Sequence, residues 1–463
     1  MANAKFFLNQ RADYYTYCFY QSLQFLKPDG QLGAVTSNAW LGKNYGLQLK
    51  RFLLDNFHIR YVVKSEAEHW FENAQVSTVY VVVQRESRPH HRPTRFVTLR
   101  QPLEHFRADT PAGIIGQVAA FYDAVDTCDG AGAAAWQPDP AYSGSAYEHR
   151  HGLARVSVVP QARLAAMRTS EENWESLFVA PDVLSPFAAR LINPTGTVFQ
   201  NGRGTRTGQD KFFILSAAEA LAAGIEDDFL QPLVRSSREL TSLHHTAAPT
   251  GYSFICTQDE ATLAADYPGA YRWVKKWEQA RNEKGKLLPQ VLRANQPHWY
   301  SLRAEAPASI FISINPDKKL FFSYTDQPVQ LNQRLVAIRP VAAADTALVA
   351  ALLNSVVTLL IVELNGTARN LGALDLNADF FKSRVRLLDP SGLTAAQRQA
   401  VLKAFARLSG RTVRGYTTEF AQPDRRRFDE AVFTAFGFPL TLLDPLYKML
   451  TDLMENRVTR KDK

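Results

Sequence analysis

The chain of 463 residues is poor in cysteine, and the three it holds, Cys18, Cys128 and Cys256, are scattered and form no CxxC pair. Their spacing argues against a disulfide frame and a thiolate zinc site, and points to a reducing compartment. The ten histidines are dispersed as well. His244 and His245 are adjacent, hence on different faces of any regular element, and no acidic or cysteine ligand has matching spacing, so no metal is expected. No GxSxG nucleophile motif and no internal repeat occur. The opening MANAKFFLNQR lacks the apolar core of a signal peptide. The longest apolar run, LVAALLNSVVTLLIVEL from Leu348, is interrupted by Asn354 and Ser355 and reads as a buried helix, not a membrane span. A cytoplasmic protein without a membrane partner is expected. Two further absences matter more. No two prolines are adjacent anywhere in the chain. In the first hundred residues no strand leads through a glycine-rich turn into a helix, the context that lets a GxG element cradle a cofactor. CDGAGA and QNGRGTRTG hold glycines without that context.

What is present is ordinary in bulk: 46% hydrophobic and 21% charged residues. The length allows about two or three domains. The net charge of +8 favours a polyanionic partner without requiring one.

Along the chain, residues 12–26 have helical spacing, with Tyr15, Phe19, Leu23 and Leu26 on one stripe, and Pro28, Asp29 and Gly30 end it. LGAVTS follows as a near-continuous apolar strand. A second amphipathic helix begins near Asn44, then HIRYVVKS and VSTVYVVVQRE read as strands. Strands alternating with helices imply an α/β fold with a parallel sheet covered on both faces, the last strand antiparallel. That is part of a doubly wound sheet, and its first strand would leave an apolar edge unpaired. After residue 100, PAGIIGQVAAFYDAV reads as a helix and CDGAGAAAWQPDPAYSGS as a linker. Short strands such as KFFIL, SIFISI and LFFSY occupy a region from 186 to 390, and residues 394–409 and 426–450 read as closing helices.

LKPDGQLGAVTSNAWL with YGLQLKRFLLDNF, then WFENAQVSTVYVVVQRE, NGRGTRTGQDKFFIL and VAALLNSVVTLLIVELNG followed by RNLGALDLN, resemble in order the amino-group (N6-adenine) DNA methyltransferases that carry a C-terminal target-recognition domain. The resemblance implies a class I methyltransferase-like half-sheet over residues 1–100, a helical or linker region over 101–185, an α+β target-recognition domain over 186–390 and C-terminal helices over 391–463. It also implies S-adenosylmethionine as cofactor, double-stranded DNA as partner and a role in restriction-modification or phage defence. The family's glycine-rich cofactor turn and its Pro-Pro-aromatic loop have no counterpart here. The resemblance therefore implies that cofactor binding falls to a missing half, on a separate polypeptide or lost by truncation, and that this chain is inactive alone. The alternative is a non-catalytic DNA-recognition subunit that keeps the half-fold as a docking surface.

Within that resemblance Phe71 matches the aromatic that stacks on a flipped target base, a contact worth about 1–3 kcal/mol. Phe71, or its neighbour Trp70, equally fits a ring that caps the sheet core. Ser37, Asn38 and Trp40 follow a strand's carboxyl end, where open α/β sheets place their sites; Asn38 also fits a turn cap. Arg203, Arg206, Thr207 and Lys211 sit in a glycine- and threonine-rich loop suited to phosphates or to guanine, or to a plain solvated hairpin turn. Arg235, Arg238, Arg369 and Asn370 are further DNA-contact candidates, whereas Lys275, Lys276 and Arg281 fit an ordinary solvated helix face.

Overall fold

The computed structural model describes residues 12–43, 45–68, 70–71, 77–86, 92–129, 133–139, 145–169, 173–179, 183–368 and 372–459. Helix α1 (Tyr14–Phe25) lays Phe19 into the core and stops ahead of Pro28. Asp29 then takes a left-handed conformation, φ 63°, and Gly30 leads into β1 (Gln31–Ser37). A short helix α2 (Ala39–Gly42) and the amphipathic α3 (Gly46–Asn56) carry the chain to β2 (Phe57–Ser65) and β3 (Thr78–Arg85). These elements fall where the hydrophobic spacing puts them.

The sheet they build is mixed. β1 and β2 run the same way, as a helical crossover demands, but they do not touch. β3 lies between them and pairs antiparallel with both, from Gln31↔Gln84 to Ser37↔Thr78 on one side. The antiparallel strand expected at the end of this order is β3, and it sits between the two parallel ones: the crossover left a gap one strand wide, and the valine-rich β3 fills it.

The sheet does not end near residue 100. β4 (Thr94–Leu99) adds parallel to β2, the one parallel pair in this sheet among the described residues. Helix α4 (Pro111–Asp126), capped by Thr110 with Pro111 in its first turn, crosses the far face. β5 (Trp136–Pro138), β6 (Ala146–His149) and β7 (Ala154–Val159) complete the order β1-β3-β2-β4-β7-β6-β5. The stretch expected to be a linker thus contains β5, whose Trp136 is buried. Both faces are covered. One core joins α1, α3, Trp174 and Phe178 to Ile59, Val81 and Phe96; the other joins α4 to Val63, Val97 and Trp136.

A short β8 (Leu191–Ile192) pairs with Leu387–Leu388, tying together the two ends of the region from 186 to 390. Between them lies a second seven-stranded sheet: β9 (Phe199–Arg203), β10 (Ile214–Ser216), β11 (Leu230–Val234), β12 (Gly251–Phe254), β13 (Ala308–Ser313), β14 (Ser323–Leu331) and β15 (Leu335–Pro340). Their order is β10-β12-β11-β14-β13-β15-β9. KFFIL, expected as a strand, begins as the helical turn Asp210–Phe213 and becomes β10 only at Ile214. Phe212, Phe254, Trp273 and Tyr300 form a small aromatic core at this end. At the other end Phe311 and Ile338 share a core with Leu360, Phe405, Phe428 and Leu450, so the second sheet and the C-terminal helices pack as one body.

The apolar run from Leu348 is two helices, Thr346–Leu353 and Val356–Asn365, bent by 69°. Among the described residues no single helix is long and apolar enough to cross a membrane. Asn354 makes the break: its amide accepts from the Phe322 N–H (3.0 Å) and donates to the Phe322 carbonyl (2.9 Å), as a strand neighbour would. The Ser355 hydroxyl then caps the second helix at Thr358.

Candidate functional site

β1, β2 and β4 all end on the same side of the first sheet, because β1 and β2 are both antiparallel to β3 and β4 is parallel to β2. Their ends deliver Ser37 with Asn38, Lys64 with Glu66, and Arg100 to one wall of a cleft of about 1080 Å³. The facing wall comes from the end of Val356–Asn365 and from the closing helix Leu443–Thr459, which contribute Glu363, Lys448 and Arg457. Asn173 holds the two walls in place: it is buried, donates from Nδ2 to the Gly366 carbonyl (3.1 Å), and donates its backbone N–H to the Asn365 Oδ1 (3.3 Å).

Eight carboxylates and seven lysine or arginine side chains line this cleft, so its charge is close to balanced. Most are committed to one another. Asn38 donates to Glu175 (2.7 Å), and Lys64 lies 3.8 Å from the other Glu175 oxygen, with its ammonium over the Phe178 ring. Arg100 and Arg155 flank Glu148 at 2.9 and 3.7 Å. Burial raises the Glu148 carboxyl above its usual range while these two cations pull it back. Burial also lowers His149, with His151 and His105 adding to the effect. Arg457 grips Glu363 with two nitrogens, at 2.7 and 3.1 Å.

The residues expected to act here divide. Ser37 and Asn38 line the cleft; the Ser37 hydroxyl pairs with that of Tyr15 (3.1 Å), and Asn38 makes no cap bond to the helix that follows. Trp40 does not belong to the site. It is fully buried, its indole N–H is bonded to Thr36 (3.2 Å), and its ring lies edge-on to Trp174. Trp70 packs on the α4 side of the sheet and borders a separate apolar cavity of about 550 Å³ with Phe106 and Phe121. Phe71, one residue on, is 50% exposed and does not line the large cleft.

On the second sheet, Arg203, Arg206, Lys211, Arg235 and Arg238 are exposed, and chain pairing gathers three of them. The Thr205 N–H donates to the Leu331 carbonyl (2.7 Å), and the Asn332 N–H donates to the Val234 carbonyl (3.1 Å). Arg203 Nε reaches the Gln333 carbonyl (2.7 Å). Arg203, Arg206 and Arg235 therefore have their backbones beside the β14–β15 turn, which adds the exposed Arg334, although the Arg235 side chain turns away across Gly251 of β12. Arg334 was not foreseen; the only trace of it in the sequence is the NQR turn between two apolar strands. Thr207 is a correction: it is buried and its hydroxyl is held by Asp210, so it braces the loop from inside. Arg369 and Asn370 lie outside the described residues. Lys275 is engaged by Glu260 and Glu278, and Lys276 covers the Trp273 ring, as a solvated helix face requires. His244 stacks on Tyr324 and approaches Asp326 at 3.1 Å, and no cluster suited to a metal occurs among the described residues.

Residues 2–71 match the Eco57I restriction-modification methylase family. The matched stretch takes in α1, β1, α2, α3 and β2, and ends on Phe71. Over 74 residues the chain is 34% identical to the type II methyltransferase M.BstVI of Geobacillus stearothermophilus, covering 16% of this chain and 13% of that one. Two solved structures align along most of the chain: the type IIG restriction endonuclease BpuSI (13% identity, TM-score 0.45, 98% of this chain and 50% of that) and the type IIL restriction-modification enzyme MmeI in complex with DNA (10%, 0.49, 95% and 52%). The chain thus spans about half the length of each of these two enzymes.

A methylase family implies S-adenosylmethionine, and among the described residues the turns that leave β1 and β2 do not have the form that would cradle it. After β1 the turn runs directly to the buried Trp40; after β2 it carries Glu66 and Glu68. Neither opens a helix through glycines that would let backbone amides close on a cofactor.

Proposed function

We propose that this chain is the C-terminal part of a site-specific DNA methyltransferase acting on adenine N6, and that a second polypeptide supplies most of the S-adenosylmethionine site. In this reading the first sheet completes the catalytic domain, Phe71 stacks on the extruded base, and the second sheet reads DNA through the arginines around the β14–β15 turn. The observation that carries it is the methylase match, which ends on an aromatic ring left half in solvent beside a partly buried Trp70. Residues 186–390 then act as the target-recognition domain within a restriction-modification or phage-defence system in the cytoplasm.

Deleting the gene from its host should erase N6-methyladenine from one short recognition sequence in genomic DNA, read by single-molecule sequencing. An unchanged methylation map would sink this reading.

The near-neutral, internally paired cleft favours one other reading, a DNA-recognition subunit without catalysis. That subunit would leave the methylation map intact while deletion abolished restriction of incoming DNA.

A further inference from the structure

The lysines and arginines that line the large cleft are not equivalent. Lys64, Arg100, Arg155, Lys448 and Arg457 each lie beside a carboxylate, drawn from Glu175, Glu148, Asp139, Asp452 and Glu363. Lys43 and Arg150 line the same cleft, stand exposed, and have no side-chain partner among the described residues. Both rise from fixed backbone. The Lys43 N–H donates to the Ala39 carbonyl (2.8 Å), and its own carbonyl accepts from the Gly46 N–H (2.9 Å). That junction is so tight that a Cβ on Gly46 would strike the Trp40 carbonyl. Arg150 sits on the β6–β7 turn, where its N–H donates to the Ala135 carbonyl (2.8 Å). Gly152 closes the turn in a left-handed conformation, φ 66°, and the His149 ring lies edge-on to the buried Trp136.

The turn and Lys43 stand at the same end of the strands, because β7 starts at Ala154 opposite Leu99, the end of β4. From β1 to β6 the sheet takes five inter-strand steps of about 4.8 Å, which sets the two cations about 24 Å apart along the rim. Between them, just beyond β2, Glu66 is the one lining carboxylate without a side-chain partner among the described residues. We infer that a DNA duplex lies across the mouth of this cleft with its backbone held at both ends, by Lys43 and by Arg150 of the β6–β7 turn. A compact anion cannot reach both cations past Glu66. A duplex carries phosphates along its whole length, and 24 Å corresponds to about seven base pairs. The paired cations add little, since each would first have to give up its carboxylate. The DNA partner is taken from the proposed function, on which this grip rests; the strands beyond the matched residues 2–71 then carry its second hold.

The test is a set of binding isotherms of the purified full chain on a random duplex of about 30 base pairs, at several salt concentrations. Lys43→Ala and Arg150→Ala should each lower affinity severalfold and reduce the log–log salt slope by about one, and the double variant by about two. Arg150→Lys keeps the charge and should retain most of the binding. Lys403→Ala, which removes an exposed lysine of the helix Ala395–Ser409 outside the cleft lining, should bind as wild type does. Circular dichroism of the alanine variants should be unchanged, both side chains being exposed. Lys43→Gln and Arg150→Gln decide the matter if alanine disturbs either turn. If wild type binds the duplex and neither variant changes the slope, the grip is overturned while the DNA partner stands. An equal loss in Lys403→Ala makes the effect one of net charge and overturns the grip too. A wild-type chain that binds no duplex at low salt overturns the DNA partner as well as the grip.

Discussion

Trp40 follows the end of β1 by three residues, a position where an aromatic ring belongs to a ligand site as readily as to a core. The choice is made by Trp174, which meets it edge-on from far along the chain and leaves no local signature in the sequence. Trp40→Ala should therefore cost about 3–5 kcal/mol in urea unfolding, the loss expected of a large core ring. Phe71 differs: it stands half in solvent outside the large cleft, while the neighbouring, partly buried Trp70 packs against the core on the α4 side. With Phe71→Ala in the host gene, the methylated fraction at the recognition sequence should fall severalfold, while Phe71→Trp, which keeps a π-face, should retain most of it. A wild-type fraction in the alanine strain would return the ring to a packing role.

At the scale of elements, α1, α3, β2 and β3 were readable because their apolar residues repeat at one clear period over a long enough window. β5 to β7 were not, since β5 and β6 are only three and four residues long and sit among glycine and proline. The break at Asn354 was visible as an interruption, but the 69° bend depends on Phe322, whose backbone the asparagine completes. Asn354→Ala would strand two buried main-chain groups and should destabilise by about 2–4 kcal/mol in thermal or urea unfolding. Helix Pro423–Phe436 offers a pH test. Hydrogen bonds from Arg411 hold the Asp424 carboxyl below its usual range. A depressed carboxylate contributes stability above its unfolded pKa and loses it as pH falls through the folded value. Asp424→Asn should be less stable than wild type at pH 7, by about 1 kcal/mol or less given the partial exposure. The gap should close in unfolding measurements well below pH 4, where wild type has lost the same contact.

For the whole molecule, the α/β character was legible and the continuity between segments was not: whether a sheet stops near residue 100 depends on β4 finding β7, a pairing no local pattern reveals. The same holds for the arginines, which local reading found singly and the sheet assembles around one turn. If that turn reads DNA, Arg203→Ala or Arg206→Ala should cost about 1–3 kcal/mol on the cognate duplex and much less on random DNA. Lys211→Ala should weaken both alike and reduce the log–log salt slope by about one. Binding isotherms on both duplexes at several salt concentrations separate these outcomes. Equal losses for both arginines would make the turn a phosphate clamp.

The large cleft is bordered by Asp13 on one side and by Arg457 on the other, so the first and last described stretches of the chain come to its rim. A fluorophore pair placed near these two positions would report, through energy transfer, any opening or closing of the two walls.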